Sequence, residues 1–249
     1  MSAHVLVVAG TDSSGGAGLS RDVETVAAFG LHSSVAVTAV TVQTHVSVER
    51  VEPMPPDLVA DQMRAALAAN EVAAIKIGML SGKATIEAVA GVLREYGQVP
   101  VVHDPVLASS SGRALLDPAA IVTLKRELMP LCAIATPNLI ELGILVGQET
   151  ATDDVQAERQ AHRLLETGCA AILVKGGHAV GNGSTDMLVH EGGETIRFTA
   201  PRLEKNMRGT GCMLASVIAA GLALGQPLQE CVREAKRYVF EQIASLGRA

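Results

Sequence analysis

The chain has 249 residues, of which 48% are apolar and 18% charged, so a sizeable core is available and disorder is not expected. It has no Trp, two Tyr, three Phe and a formal net charge of -6. Those counts argue against a stacking or phosphate-tracking nucleic-acid surface but leave a local anion site open.

Cys132, Cys169, Cys212 and Cys231 form no CxxC pair, and no His stands at zinc-finger spacing, so neither a disulfide framework nor a structural zinc is expected. "HVLVVAG" reads as a buried strand, too short and too poor in basic flank for a signal peptide. No window has the apolar length of a membrane span, and a soluble, cytoplasmic protein is expected. Ala17 to Phe29 reads as a helix with Val23, Val26 and Ala27 on one face, and "SSVAVTAVTVQ" as one β-branched strand. Pro55-Pro56-Asp57 opens a helix carrying Val59, Met63, Ala66 and Leu67; "AAIKIGML" is a third strand, followed by a helix with Ile86, Val89, Ala90 and Leu93 on its stripe. "VPVVHDPV", "CAIATPN" and "AAILVKGG" read as further strands, with a helix from about Val155 to Thr167 before the last of them. "DMLVHEGGETIRFTA" resembles a hairpin turning at Gly192-Gly193, and two helices close the chain, the second starting at Pro227.

Alternating strands and helices predict one α/β domain over residues 1–249, with a mostly parallel sheet and helices on both faces. In such sheets the ligand lies beyond the carboxyl ends of the strands. Several strands here end in polar or glycine residues: Gly10-Thr11-Asp12, His103-Asp104-Pro105, Pro137-Asn138 and Lys175-Gly176-Gly177.

"RGTGCMLAS" places two glycines and Cys212 at the start of an apolar helix. Gly209 and Gly211 would let a phosphate approach the unpaired amides of that helix end, where Cys212, its pKa lowered by the helix, could accept a proton. The alternative is a tight turn before a packed helix, with Cys212 as a small buried residue. "AGTDSSGGAGLSRD" has three glycines within four residues, a loop able to fold over a ligand or a plain connector. Asp22 one turn later could hydrogen-bond a substrate or be solvated. "GMLSGKAT" fails the Walker spacing, so Lys83 is read as a surface residue. In "ATPNLIEL", Asn138 and Glu141 share a helix face, suited to holding Mg²⁺-bound waters or to capping the helix. Asp104 is a metal- or phosphate-site residue or a turn cap, and Lys175 suits an anion or merely leaves the sheet for water. Gln43 can offer a donor and an acceptor to a heterocycle edge. His45 and His178 read as loop residues.

"AGTDSSGGAG", "TAVTVQT", "KIGML", "DPVLASSSG", "TPNLIEL", "LVKGGH" and "RGTGC" stand in the order and spacing of the hydroxymethylpyrimidine and phosphomethylpyrimidine kinases, thiamine-pathway enzymes of the ribokinase-like superfamily. The chain resembles that family over nearly its whole length. The resemblance implies a three-layer α/β/α sandwich, a homodimer, and use of ATP with Mg²⁺ to phosphorylate the hydroxymethyl group of 4-amino-5-hydroxymethyl-2-methylpyrimidine and then its monophosphate. It implies pyrimidine contacts at Gly10, Asp22, Gln43, Met79 and Val106, and an anion hole at Gly209 and Gly211. It makes Cys212 the base, in a slot where related sugar kinases carry Asp. Lys175 and Thr210 would meet ATP, and Asp104, Asn138 and Glu141 the metal through water. Ser110, Arg113 and Arg208 depart from the family pattern, and the two arginines would keep positive charge near a phosphate site. Two other readings remain: a pyridoxal kinase on the same scaffold, and a pyrimidine-binding sensor without catalysis.

Overall fold

The computed structural model describes residues 3–109, 112–176, 183–205 and 207–246. In chain order the first half runs β1 (His4–Ala9), α1 (Gly18–Ala28), β2 (His32–Val37), β3 (Ala39–Gln43), β4 (Val48–Pro53), α2 (Pro56–Ala69), β5 (Val72–Ile77), α3 (Lys83–Glu95) and β6 (Val101–His103). The second half runs α4 (Ala120–Thr123), β7 (Ile134–Ala135), α5 (Leu139–Val146), α6 (Asp154–Leu165), β8 (Ala171–Val174), β9 (Gly183–His190), β10 (Ile196–Pro201), α7 (Thr210–Ala223) and α8 (Leu228–Ser245).

β1 shows why the molecule is layered. Leu6 and Val8 join the core on one face of the sheet, Val5, Val7 and Ala9 the core on the other, and all five are buried. A strand apolar on both sides must be covered on both sides. α2, α3, α5 and α6 cover the first face through Val59, Met63, Ile86, Val89, Leu142 and Leu164. α1, α7 and α8 cover the second through Val26, Val217, Ile218, Cys231 and Ala235. The sheet order is β10-β9-β8-β7-β6-β5-β1-β2; the strands from β2 to β8 are parallel, and β9 and β10 close one edge as an antiparallel hairpin. This is the three-layer α/β/α arrangement expected from the alternation of elements.

Four local features differ from the sequence expectation. The run "SSVAVTAVTVQ" is two strands, not one. Thr38 is fixed between them, its Oγ1 donating to the Met79 carbonyl at 2.6 Å and its N–H to the Ala9 carbonyl at 3.0 Å. Beyond it, β3 leaves the main sheet and pairs with β4 in a separate two-stranded flap. β4, "VERVEP", gave no strand signal because only Val48 in it is buried. In α1 the buried face is Leu19, Asp22, Thr25 and Val26, whereas Val23 and Ala27 are exposed. The helical stretch from Ala120 through Leu131 was not read either.

His103 ends β6 at 1% exposure, and burial lowers its pKa from 6.5 to about 4. Between those values the unfolded chain binds a proton that the folded chain refuses, so stability falls as pH drops through that window. The loss reaches about 3 kcal/mol at the acid end. Urea titrations at pH 7 and near pH 4 should show a smaller drop for His103→Phe than for the parent; equal drops would remove His103 as the source.

Candidate active site

The carboxyl ends of β1, β5, β6, β7 and β8 meet the start of α7 around a cleft of about 1070 Å³. A second, more open depression of about 1140 Å³ between the end of α5 and α6 shares no lining residue with it and receives none of the residues singled out in the sequence.

The start of α7 is built on glycine for steric reasons. Gly209 has φ 73°, and a Cβ on it would lie 2.5 Å from the Gly16 carbonyl oxygen, so only glycine lets the chain turn here against the 11–17 loop. No side chain caps the helix, and its first internal bond runs from the Met213 N–H to the Gly209 carbonyl at 2.9 Å. Thr210, Gly211 and Cys212 therefore present unspent amides where they line the cleft, at the positive end of the helix. A Cβ on Gly211 would be 3.2 Å from Lys175 Nζ and 3.6 Å from Asp104 Oδ2, so the helix start directly faces that pair.

Lys175 Nζ donates to Asp104 Oδ1 at 2.7 Å and lies 3.8 Å from Glu141 Oε2; Thr136 Oγ1 donates to the same Asp104 oxygen at 3.3 Å. Burial opposes the charge on Lys175, but Asp104 and Glu141 outweigh it and raise its pKa, so the side chain is a permanent cation. Burial likewise opposes ionisation of Asp104, yet Lys175 and Lys76 hold its pKa below the ordinary value. Burial, offset only in part by Lys175, raises that of Glu141. Asn138 and Glu141 form a complete capping box at the start of α5, with bonds of 2.8 and 2.9 Å. Both also line the cleft, so the capping and site readings describe the same two residues.

Cys212 keeps part of its surface in the cleft. Burial nevertheless pushes its thiol up to about 11, against the pull of Lys76. The lowered thiol pKa expected from the helix start is thus corrected: the sulfur is protonated at neutral pH, because desolvation outweighs the nearby cation. Asp22 is also corrected. It is fully buried, its Oδ2 2.7 Å from Lys76 Nζ and its Oδ1 accepting from Ser216 Oγ at 2.8 Å, and it does not line the cleft.

Gly10, Gln43, Met79 and Val106 all line the same cleft. A Cβ on Gly10 would sit 3.1 Å from Met79 Sδ, so glycine leaves that sulfur its place. Gln43 Oε1 accepts from Thr41 Oγ1 at 3.3 Å, and its N–H donates to Ser13 Oγ at 2.8 Å.

Arg208 reaches Asp12 Oδ2 at 3.0 Å, Ser14 Oγ at 2.9 Å and the Thr44 carbonyl at 3.2 Å, tying the 11–17 loop and the flap to the start of α7. Its charge is matched by buried Asp12 instead of standing free for a phosphate. Arg113 is spent on the Val48 and Glu49 carbonyls at 2.6 and 2.8 Å and does not line the cleft. His45 lies beside Arg208 in the flap turn, and Lys83 is an exposed partner of Glu87 at 3.7 Å. Ser110, Gly177 and His178 fall outside the described residues.

Sequence reasoning missed Lys76 and Lys236, both of which line the cleft. The signal for Lys76 was present, since a lysine inside "AAIKIGML" is a charge in an otherwise apolar run. Lys236 had no local signal: it pairs with Asp186 at 2.9 Å, fifty residues away in the chain. Among the described residues, no group of three or more His, Cys, Asp or Glu side chains could hold a metal ion, and no helix is long and apolar enough to cross a membrane.

Residues 12–248 match the family model described as phosphomethylpyrimidine kinase. The hydroxymethylpyrimidine/phosphomethylpyrimidine kinase of Rhizobium meliloti (strain 1021) is 43% identical over 249 residues, covering 100% of this chain and 93% of that protein. The crystal structure of phosphomethylpyrimidine kinase from Clostridium difficile 630 superposes with a TM-score of 0.84 at 32% identity, covering 98% of this chain and 100% of the other. The pyridoxal kinase from Staphylococcus aureus in complex with AMP-PCP and pyridoxal superposes with a TM-score of 0.87 at 28% identity, covering 96% and 87%. With its ribokinase-like layers and an uncapped, glycine-built helix start opposite Lys175, this chain belongs to the phosphomethylpyrimidine kinase family and is a phosphotransferase.

Proposed function

We propose that this kinase transfers the γ-phosphoryl group of ATP to the hydroxymethyl oxygen of 4-amino-5-hydroxymethyl-2-methylpyrimidine, and then a second group to the monophosphate, in thiamine biosynthesis or salvage. The observation that carries this reading is the uncapped start of α7 facing Lys175 and Asp104 across the cleft.

The pyrimidine ring lies between Met79 and Val106, with Gln43 reading its polar edge and Gly10 leaving room beneath it. Its hydroxymethyl group then points at the first turn of α7. The amides of Thr210, Gly211 and Cys212 bind the equatorial oxygens of the transferring group, as preorganised donors that need no rearrangement. Lys175 offsets the charge of the ATP phosphates. The base of ATP rests on Leu203, Val239 and Ile243 at the far end of the cleft. Cys212 accepts the hydroxyl proton late, as positioning and charge stabilisation dominate phosphoryl transfer.

The donor set suits a hydrated magnesium ion carried by ATP better than a protein-bound one: two buried carboxylates, Asp104 and Glu141, already share Lys175. Mg²⁺ bound with ATP would offset phosphate charge there, and Asp104, Glu141 and Asn138 would hold its waters. The outward valines of β2 and the flap, Val35, Val40 and Val42, are 43–44% exposed and support a homodimer through that edge.

A second reading, pyridoxal as acceptor, is favoured by the likeness to the Staphylococcus aureus enzyme. Mass spectrometry of products from the pyrimidine alcohol, its monophosphate and pyridoxal, each with Mg-ATP, tests both. Mono- and diphosphate from the first two are expected, with pyridoxal turned over more slowly. Pyridoxal phosphate as the dominant product would overturn the substrate assignment, and binding without ATP consumption would reduce the protein to a sensor.

A further inference from the structure

The proton acceptor assigned to Cys212 sits on a buried ionic cluster that the transfer step leaves unused. β5 is an apolar strand, yet Lys76 within it points to the α1–α7 side and is completely buried, as are Asp22 and Ser216. The register of two helices explains the grouping. Gly18 and Asp22 are one turn apart on α1, and Cys212 and Ser216 one turn apart on α7. Asp22 accepts from Ser216, and Lys76 comes from the strand beneath to bind Asp22 at 2.7 Å. A Cβ on Gly78 would lie 3.0 Å from Lys76 Nζ, so glycine there leaves the ammonium its place. Desolvating such a pair costs about as much as its attraction returns, so stability alone does not account for it.

We propose that Lys76 is a positioning residue for phosphoryl transfer: its ammonium, held by Asp22, stands behind the first turn of α7 and stabilises negative charge on the Cys212 sulfur. The idea rests on Cys212 being the acceptor. In that step the sulfur enters as thiolate and leaves as thiol. A lone pair of the hydroxyl oxygen forms the new O–P bond, the pair of the breaking O–H bond stays on that oxygen as the proton passes to sulfur, the pair of the breaking P–O bond stays on ADP, and Lys76 exchanges no proton. Four charged side chains act on the sulfur: Lys76 from β5, Asp22 from α1, Asp104 after β6 and Lys175 after β8. The two lysines favour the thiolate, and the two carboxylates oppose it.

The test compares Asp22→Asn, which keeps the ammonium, with Lys76→Met/Asp22→Asn, which removes both charges and leaves no unpaired buried ion. The rate of iodoacetamide alkylation at Cys212, read by peptide mass spectrometry, is followed against pH. The double variant should show its midpoint about one pH unit or more above Asp22→Asn, which is a tenfold smaller thiolate fraction at neutral pH. Its kcat should be about tenfold lower than that of Asp22→Asn, with KM for ATP within about twofold. Superimposed alkylation profiles would overturn the role of Lys76. Failure of the acceptor reading is distinguishable, because Cys212→Ala would then keep its kcat while the alkylation shift between the other two variants persisted.

Discussion

Lys175→Met should lower kcat/KM for ATP by about 10³-fold, the sum of a lost phosphate cation and two carboxylates left without a counter-charge. In the parent, one ammonium lies 2.7 Å from Asp104 and 3.8 Å from Glu141, opposite the Gly211 amide. Removing it turns a site for anions into one that repels them. Two like charges about 6 Å apart in surroundings of effective dielectric about 20 cost roughly 3 kcal/mol, so repulsion alone accounts for about a hundredfold. The same substitution strands Asp104, 2% exposed, and will reduce stability. Lys175→Met/Asp104→Asn separates the two effects. It should regain part of the stability in urea titration, because only Glu141, which still accepts from the Asn138 amide, is left without a counter-charge, yet stay as inactive as the single variant. If the double variant recovers turnover, Lys175 serves only to neutralise Asp104 and the cradle works without it. Arginine is not a conservative replacement here, since its planar fork does not fit a point contact between two carboxylates and a helix start.

What the sequence disclosed and what it withheld divide along physical lines. The layers were legible because β1, β5 and β8 are apolar on both faces and helical stripes lie between them. The rim was legible because a strand's last residue and the carboxyl-end rule together place Gly10, Asp104, Asn138 and Lys175 without knowledge of any contact. The flap was not, since β4 is half charged and is held by pairing with β3 instead of by burial. Asp22 was misplaced for a related reason. A lone carboxylate on a helix reads as solvent-facing or substrate-facing, and its true partners lie 54 and 194 residues away in the chain. Arg208 shows the same limit: its position before "GTGC" suggested positive charge kept near a phosphate site, but Asp12 and Ser14 fold back onto it. Long-range ion pairs decide which charges a site keeps free, and spacing along the chain carries no record of them.

The thiol carries the other large effect. Cys212→Ala should reduce kcat by about 10²–10³-fold while leaving ATP affinity within about twofold, because alanine keeps the backbone amide that binds phosphate and removes only the proton acceptor. The pH dependence gives the sharper reading. Burial holds the thiol near 11, so at neutral pH only a small fraction is thiolate, and that fraction grows tenfold per pH unit. The kcat of the parent should therefore climb between about pH 6 and pH 9, whereas the residual activity of Cys212→Ala should stay flat over that range. A scarce thiolate is still a useful acceptor: a base of high pKa is better matched to an alcohol that gives up its proton only after the new O–P bond has begun to form. Cys212→Ser should resemble the alanine variant, its hydroxyl being far harder to ionise. Cys212→Asp should retain part of the activity and lose the climb, since a carboxylate at that position ionises at lower pH than the thiol. A parent profile as flat as that of Cys212→Ala would mean that the proton leaves by another route, and the start of α7 would then act on the phosphoryl group through its amides alone.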